Sequence, residues 1–206
     1  WRAEEIKAAS LSYKSVALTP GQIGDLELLL TGAFQPLAGY LGQADFESVL
    51  TGMRLTDGTL WPMPVSLDVP AKLAESLKPG DKLALRDPEG FMLAALTVED
   101  VWKADSVREA QVLFATQDIE GHAGARASVR ETAAFRVSGP VEGLALPPHA
   151  DSPEIRRTPA GILAALKQRG WRKVIGYQTG GLLHCRERAM LQQAARDIGG
   201  SILLLP

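Results

Sequence analysis

The chain has 206 residues, of which 46% are hydrophobic and 22% are charged, and its net charge at pH 7 is −2. This composition is typical of a globular protein and excludes a disordered or fibrous chain. The near-neutral charge argues against nucleic acid and anionic membranes as partners. No apolar run approaches the roughly 20 residues that span a bilayer. The single cysteine, Cys185, excludes a disulfide framework and favours a cytoplasmic protein.

The first region of the chain, residues 1–145, begins with helix signals. The patterns predict short helices over Trp1–Ser10 and Ala44–Leu50 and a short strand over Ser15–Leu18. Between them, Thr19 and Pro20 have the residue types of an N-cap and a first helical position. Gln22 stands where a capping box places Glu or Gln, and Gly32 is a residue that ends helices. We therefore predict a further helix between Thr19 and Gly32.

The remainder of this first region has strand and turn signals. Lys82–Arg86 and Phe91–Val98 are strand candidates, and residues 87–90, Asp-Pro-Glu-Gly, form a strong turn signal between them. Leu60–Val69 alternates but contains two prolines, which is typical of an edge or irregular strand. Several short strands separated by turn residues favour a small β-barrel or sandwich.

A stiff, proline-rich linker over Leu146–His149 introduces the second region, residues 146–206. Thr158 and Pro159 predict the start of a helix that Gly170 ends. A strand over Lys173–Tyr177, a helix over Arg186–Ile198 and a strand over Ser201–Leu205 follow. This order predicts a parallel α/β unit with a right-handed crossover. One such unit does not cover both faces of a sheet, so we expect this region to be the first part of a larger domain.

The turn from Gln178 to His184 is the main candidate for a binding site. In an open α/β sheet, ligands bind at the carboxyl ends of the strands, and the following helix start attracts anions. The pair Gly180 and Gly181 would let the backbone approach a ligand closely. The pattern is neither GxGxxG nor a P-loop. From these residues alone, an ordinary strand-to-helix turn is the favoured interpretation.

Three stretches resemble one enzyme family. They are LTPGQIGDLELLLTGAFQPLAGYL, RLTDGTLWPMPVSLDV and IRRTP, in that order along the chain. They resemble segments of sulfate adenylyltransferase, also called ATP sulfurylase. The resemblance implies a mixed α+β protein, with a PUA-like β-barrel domain over 1–145 followed over 146–206 by the beginning of a Rossmann-like nucleotidyltransferase domain. Members of that family make adenylyl sulfate and pyrophosphate from ATP and sulfate, and some are fused to an adenylyl sulfate kinase.

The family signature at the candidate turn is QTRNPxHxxH, and this chain has QTGGLLHCRE. Gln178, Thr179 and His184 match the signature. The resemblance therefore implies that these three residues are nucleotide-binding positions. The two signature histidines stabilise charge on the phosphates as pyrophosphate leaves.

The departures from the signature concern the residues that address anions. Gly180 and Gly181 stand where the family has Arg and Asn, Leu182 replaces its Pro, and Glu187 replaces its second His. Losing the Arg removes a bidentate anion clamp. The Glu places a negative charge beside a polyphosphate, so repulsion replaces attraction. We therefore expect a degenerate site with no catalytic residue, in which Gly180, Gly181 and Glu187 are vestigial positions.

These residues lead to three hypotheses of function. The first is a catalytically degenerate module with a structural, oligomerising or regulatory role in a longer sulfate-activating protein fused to adenylyl sulfate kinase. The second is an active sulfate adenylyltransferase with a rearranged anion site, and the third is a sensor of adenylyl sulfate or ATP.

The same resemblance sets the expected ligands. We expect no cofactor in this segment, and ATP with Mg for the parent protein. The expected partners of that protein are ATP, sulfate or adenylyl sulfate, and further copies of itself. His122 and His149 have no metal-ligand spacing, so no metal site is expected.

Overall fold

The computed structural model describes residues 12–149 and 155–205. The chain divides into two compact units, Trp1–Asp151 and Ser152–Pro206. The helix predicted over Trp1–Ser10 lies outside the described residues. Within the described ranges, no helix is both long and apolar enough to cross a membrane.

The first unit contains five helices and seven strands in its described part. The helices are α1 (Pro20–Leu30), α2 (Gln43–Gly52), α3 (Ala71–Ala74), α4 (Ser106–Leu113) and α5 (Ala123–Glu131). The strands are β1 (Lys14–Ala17), β2 (Gly39–Tyr40), β3 (Leu67–Val69), β4 (Lys82–Arg86), β5 (Met92–Thr97), β6 (Asp100–Lys103) and β7 (Phe135–Gly143).

The seven strands form one sheet that curls into a half-barrel, with β7 at its centre. The first half of β7 pairs with β3 and β6, and its second half pairs with β2 and β5. Strand β4 pairs with β5 in antiparallel orientation and with β1 in parallel orientation. One strand therefore has four partners, and the predicted mixed α+β fold with a PUA-like β domain is confirmed.

The core of this unit lies inside the curled sheet. Leu83, Ala84 and Leu85 of β4 are consecutive and all buried, as is the run 93–96 of β5. Both faces of these strands are covered, which explains their continuous apolar sequence. Helix α1 contributes Leu26, which is fully buried, to the same cluster.

The local signals at α1 are confirmed. The Oγ1 of Thr19 accepts a hydrogen bond from the Gln22 backbone N–H (3.3 Å), and the Oε1 of Gln22 accepts one from the Thr19 N–H (2.9 Å). Pro20 is the first helical residue, and Gly32 lies just beyond the helix end with φ of +74°. The capping box therefore determines where this helix begins.

The strand predicted over Leu60–Val69 is wrong along most of its length. Only Leu67–Val69 is a strand, and Leu60 forms an isolated bridge with Arg54. Pro62 and Pro64 explain the difference, because a proline has no N–H to donate to a neighbouring strand. The sequence patterns also did not predict β2, β6, β7 and the helices α3, α4 and α5.

The second unit has the predicted order of elements. They are α6 (Pro159–Gln168), β8 (Val174–Gln178), α7 (Cys185–Ile198) and β9 (Ser201–Leu205). Strands β8 and β9 pair in parallel, as predicted for a strand, helix and strand crossover. Helix α6 begins at its predicted N-cap, Thr158, whose Oγ1 accepts a hydrogen bond from the Gly161 N–H (3.2 Å).

Candidate functional site

The candidate site is the loop that joins the end of β8 to the start of α7, residues 179–184. Because β8 and β9 are parallel, this loop lies at the carboxyl edge of the strand pair, where open α/β sheets bind ligands. The Thr179 N–H donates to the Leu205 carbonyl oxygen at the end of β9 (3.0 Å). The loop is therefore anchored to both strands at its first residue.

The hydroxyl of Thr179 organises the first turn of the loop. Its Oγ1 donates to the Gly181 carbonyl oxygen (2.9 Å) and lies within hydrogen-bonding distance of the Gly181 N–H (3.3 Å). This is a local turn stabilised by a threonine side chain. The hydroxyl of a predicted nucleotide-binding residue thus has partners inside the loop itself.

The two glycines of the loop are not required by the backbone. A Cβ built on Gly180 or Gly181 would meet nothing within 4 Å, and neither residue has a positive φ. Leu182 beside them is 89% exposed. The backbone at both positions would therefore accept a residue that has a Cβ.

The carboxylate of Glu187 connects the end of β8 to the first turn of α7. Its Oε2 accepts a hydrogen bond from the backbone N–H of His184 (2.9 Å), which is the N-cap residue of α7. Its Oε1 accepts a hydrogen bond from the hydroxyl of Tyr177 in β8 (3.0 Å). We call these three residues the clasp. An acidic third helical residue that binds the N-cap N–H is one half of a capping box.

Both hydrogen bonds stabilise the charged form of Glu187. The His184 N–H, and then the Tyr177 hydroxyl, lower the pKa of Glu187 below its ordinary value. The hydrogen bond between Tyr177 and Glu187 raises the pKa of Tyr177. The start of α7, which carries the positive end of the helix dipole, therefore has its own carboxylate at neutral pH.

The predicted site residues lie close together in the chain, but they differ in solvent exposure. Gln178 and His184 are exposed, whereas Thr179 is half-buried. Tyr177, whose hydroxyl is the second partner of Glu187, was not among the predicted site residues. The capping-box pattern was the available signal for Glu187, because it is the third residue after the N-cap.

The other histidines have structural partners. The Nδ1 of His122 accepts a hydrogen bond from the Ala125 N–H (3.1 Å) and caps α5. The Nε2 of His149 lies 2.8 Å from a carboxylate oxygen of Glu27 in α1. Among the residues that the structure describes, no group of three or more His, Cys, Asp or Glu side chains could hold a metal ion.

Two family models match the chain, one for each region. The model described as PUA-like domain matches residues 2–146. The model described as ATP-sulfurylase matches residues 153–206.

Relatives of known function are similar along most of this chain. The sulfate adenylyltransferase of Saccharomyces cerevisiae is 38% identical over 189 residues, which is 92% of this chain and 37% of that protein. That of Kluyveromyces lactis is 38% identical over 199 residues, which is 97% of this chain and 39% of that protein. The chain thus spans less than half of the length of the curated relatives that it matches.

A solved structure extends the comparison to the fold. It is described as a hexameric APS kinase from Thiobacillus denitrificans, and it matches with a TM-score of 0.78 and 33% sequence identity. The match covers 98% of this chain and 36% of that one. A segment with this fold is therefore found within a longer chain whose name is that of a kinase.

Proposed function

Since the chain belongs to the sulfate adenylyltransferase family, we propose that it is a catalytically degenerate member with a structural, oligomerising or regulatory role in a longer sulfate-activating protein. The observation that carries the proposal is the carboxylate of Glu187. It is held by two hydrogen bonds at the position where the signature has its second histidine.

Adenylyl transfer needs cations and hydrogen-bond donors around a polyphosphate. A transition state in which pyrophosphate leaves gains negative charge on its oxygens, and donors placed there lower the barrier. Glu187 offers only acceptor oxygens, and Gly180 and Gly181 have no side chain that could donate a hydrogen bond. Each lost donor of this kind typically costs about 10²–10³ in rate. Three altered positions would leave little activity, even with non-additive effects.

The longer protein is proposed from the solved relative. That relative is named as an APS kinase and as a hexamer, and it contains a segment similar to nearly all of this chain. We propose that this chain is likewise part of a longer protein that contains an adenylyl sulfate kinase, and that this protein assembles into homo-oligomers. ATP with Mg and adenylyl sulfate would then be ligands of the kinase part, while this segment provides a framework without its own cofactor.

The test is the reverse sulfurylase reaction, in which adenylyl sulfate and pyrophosphate are converted to ATP. We would assay the full-length protein beside the combined variant Gly180→Arg, Gly181→Asn and Glu187→His. We expect no ATP above background from the unaltered protein and measurable ATP from the variant. A control with Asp197→His changes an acid to histidine at the other end of α7 and should gain nothing.

An active sulfate adenylyltransferase is the second candidate, because the curated relatives carry that name. It requires a displaced cation, and Arg186 and Arg188 are exposed on either side of Glu187. Neither arginine stands at a signature position. ATP formation by the unaltered protein well above background would overturn the degenerate module, and loss of that activity in Arg186→Ala or Arg188→Ala would identify the replacement.

A sensor of adenylyl sulfate or ATP is the third candidate, and Gln178, Thr179 and His184 are the residues that favour it. The hydroxyl of Thr179 already binds Gly181 within the loop, which counts against it. Calorimetry with millimolar adenylyl sulfate should give no heat that depends on these residues. A signal that disappears in Thr179→Ala or His184→Ala would support a sensor.

A further inference from the structure

We propose that the clasp formed by Tyr177, His184 and Glu187 excludes anions from the loop, with the charge of Glu187 as the excluding group and Tyr177 as the residue that positions it. This inference rests on the proposed function, because it concerns the regulation of a site that no longer catalyses. In addition to the loss of signature residues, the clasp would place a negative charge that repels phosphate and sulfate groups.

Glu187 is held at both of its carboxylate oxygens. One carboxylate oxygen binds the His184 N–H at 2.9 Å and the other binds the Tyr177 hydroxyl at 3.0 Å. A bond at each oxygen, to groups on two different elements, opposes rotation of the side chain away from the loop. The low pKa of Glu187 keeps this group ionised at neutral pH.

The hydrogen-bond donor that an incoming anion would meet at the N-cap of α7 is already occupied. The His184 N–H at the start of α7 points to the Glu187 carboxylate, so that donor is already satisfied. A phosphate or sulfate oxygen that approached it would meet a like charge at close range. Like charges a few ångströms apart lower affinity by about tenfold or more, depending on local screening.

Steric bulk does not close the loop. A Cβ added at Gly180 or Gly181 would meet nothing within 4 Å, so the backbone there is not covered by neighbouring elements. His184 and Cys185 at the helix start are exposed as well. Exclusion therefore depends on charge, and removing that charge without changing the shape of the side chain is the direct test.

The experiment follows the alkylation of Cys185 in the full-length protein. Cys185 is the first residue of α7, and trypsin releases it in the peptide between Lys173 and Arg186, so mass spectrometry reads this site separately from any other domain. The probe is inorganic pyrophosphate, compared with chloride at equal ionic strength. Protection of the thiol by the probe reports binding at the loop without any assay of activity.

The variants separate charge from position. In Glu187→Gln we expect pyrophosphate to slow alkylation at concentrations at least about tenfold lower than any that affect the unaltered protein. In Tyr177→Phe the charge remains but one of its two hydrogen bonds is lost. We expect pyrophosphate to protect the thiol more than in the unaltered protein and less than in Glu187→Gln. The control Asp197→Asn removes a charge from the last turn of the same helix, about 15 Å away, and should behave like the unaltered protein.

Three outcomes would overturn the inference. Protection of the unaltered protein at low pyrophosphate would show that the clasp does not exclude anions. No gain in Glu187→Gln would show that its charge is not the barrier. A gain in Glu187→Gln without any in Tyr177→Phe would remove the positioning role of Tyr177. Because none of these outcomes involves ATP formation, each is distinguishable from a failure of the proposed function in the reverse assay.

Discussion

Arg136 in β7 and Glu109 in α4 form a salt bridge in which both side chains are more than nine-tenths buried. A second guanidinium nitrogen of Arg136 donates to the Ser66 hydroxyl (2.6 Å), and the guanidinium lies 4.6 Å from the centre of the Phe46 ring. Glu109 also accepts a hydrogen bond from the Asp105 N–H (3.1 Å). One buried pair thus connects two helices, the central strand and the segment before β3.

Removing one partner of this pair should destabilise the first unit strongly. Arg136→Met leaves a buried carboxylate without its counter-ion, which typically costs about 3–5 kcal/mol. Urea unfolding would measure the loss, and Arg136→Met combined with Glu109→Met should recover part of it. The control is Arg108→Met, which breaks the exposed pair of Arg108 with Glu47 and should cost less than about 1 kcal/mol. Equal losses for Arg136→Met and Arg108→Met would contradict the argument.

The pairing of β2 with β7 depends on Gly39. A Cβ at this position would lie 2.1 Å from the Gly139 carbonyl oxygen and 2.7 Å from the Pro140 Cα, and both are backbone atoms. Gly39→Ala should therefore separate the strands and lower stability by about 2–4 kcal/mol in thermal unfolding. Gly24→Ala in α1 meets nothing within 4 Å and should instead gain about 0.5–1 kcal/mol. A harmless Gly39→Ala would refute this account.

A glutamine is needed at position 22, because its amide accepts one hydrogen bond through the oxygen and donates others through the nitrogen. Its Oε1 caps α1, and its Nε2 donates to the carboxylate (3.0 Å) and carbonyl (3.1 Å) of Asp68. Gln22→Glu keeps the cap but places two carboxylates together, so we expect a loss of about 1–3 kcal/mol at pH 7. The loss should shrink as the pH falls and one carboxylate becomes protonated.

Unfolding of Gln22→Glu at pH 7 and at acidic pH tests this expectation. Gln43→Glu adds the same charge at the exposed first residue of α2, where the helix dipole favours an acid, and should change stability by less than about 0.5 kcal/mol. If the two variants lose equal stability at pH 7, the contact with Asp68 is not the cause.

The titration of Glu187 reports the clasp directly. Its pKa is lowered from the ordinary value of a glutamate, first by the His184 N–H and then by the Tyr177 hydroxyl. The hydrogen bonds to the ionised form therefore stabilise the fold above the unfolded pKa, and this contribution disappears as the pH falls through the lower, folded value. Carbon-detected NMR of the side-chain carboxyl should give a midpoint below that of a glutamate in an unfolded peptide. Tyr177→Phe should raise that midpoint, and Tyr13→Phe should leave it unchanged.

Short-range patterns predicted the elements whose ends depend on neighbouring residues. The cap of α1 by Thr19 and the turn after β4 are of this kind, because side chains and φ angles within a few residues stabilise them. The order of β8, α7 and β9 was also readable, since one apolar strand, one helical stripe and another strand follow each other directly.

Strand β7 could not be predicted in the same way. Its sequence FRVSGPVEG contains Gly139 and Pro140, which signal a turn or the end of a strand. In the structure these two residues pair with β2, at the point where β7 passes from its partners β3 and β6 to β5. The bend is stabilised by partners distant in the chain, so no local pattern contains it.

The sequence by itself determined the family of the chain, the candidate loop and the chemical identity of its altered positions, because these depend only on which residues occur in which order. Comparison with the signature was enough to find an acid, Glu187, in place of a histidine. Only the tertiary structure showed that this acid binds Tyr177, because that contact exists only when the end of β8 and the first turn of α7 lie side by side. Whether a charge is merely present or is held in place is decided by such contacts between elements.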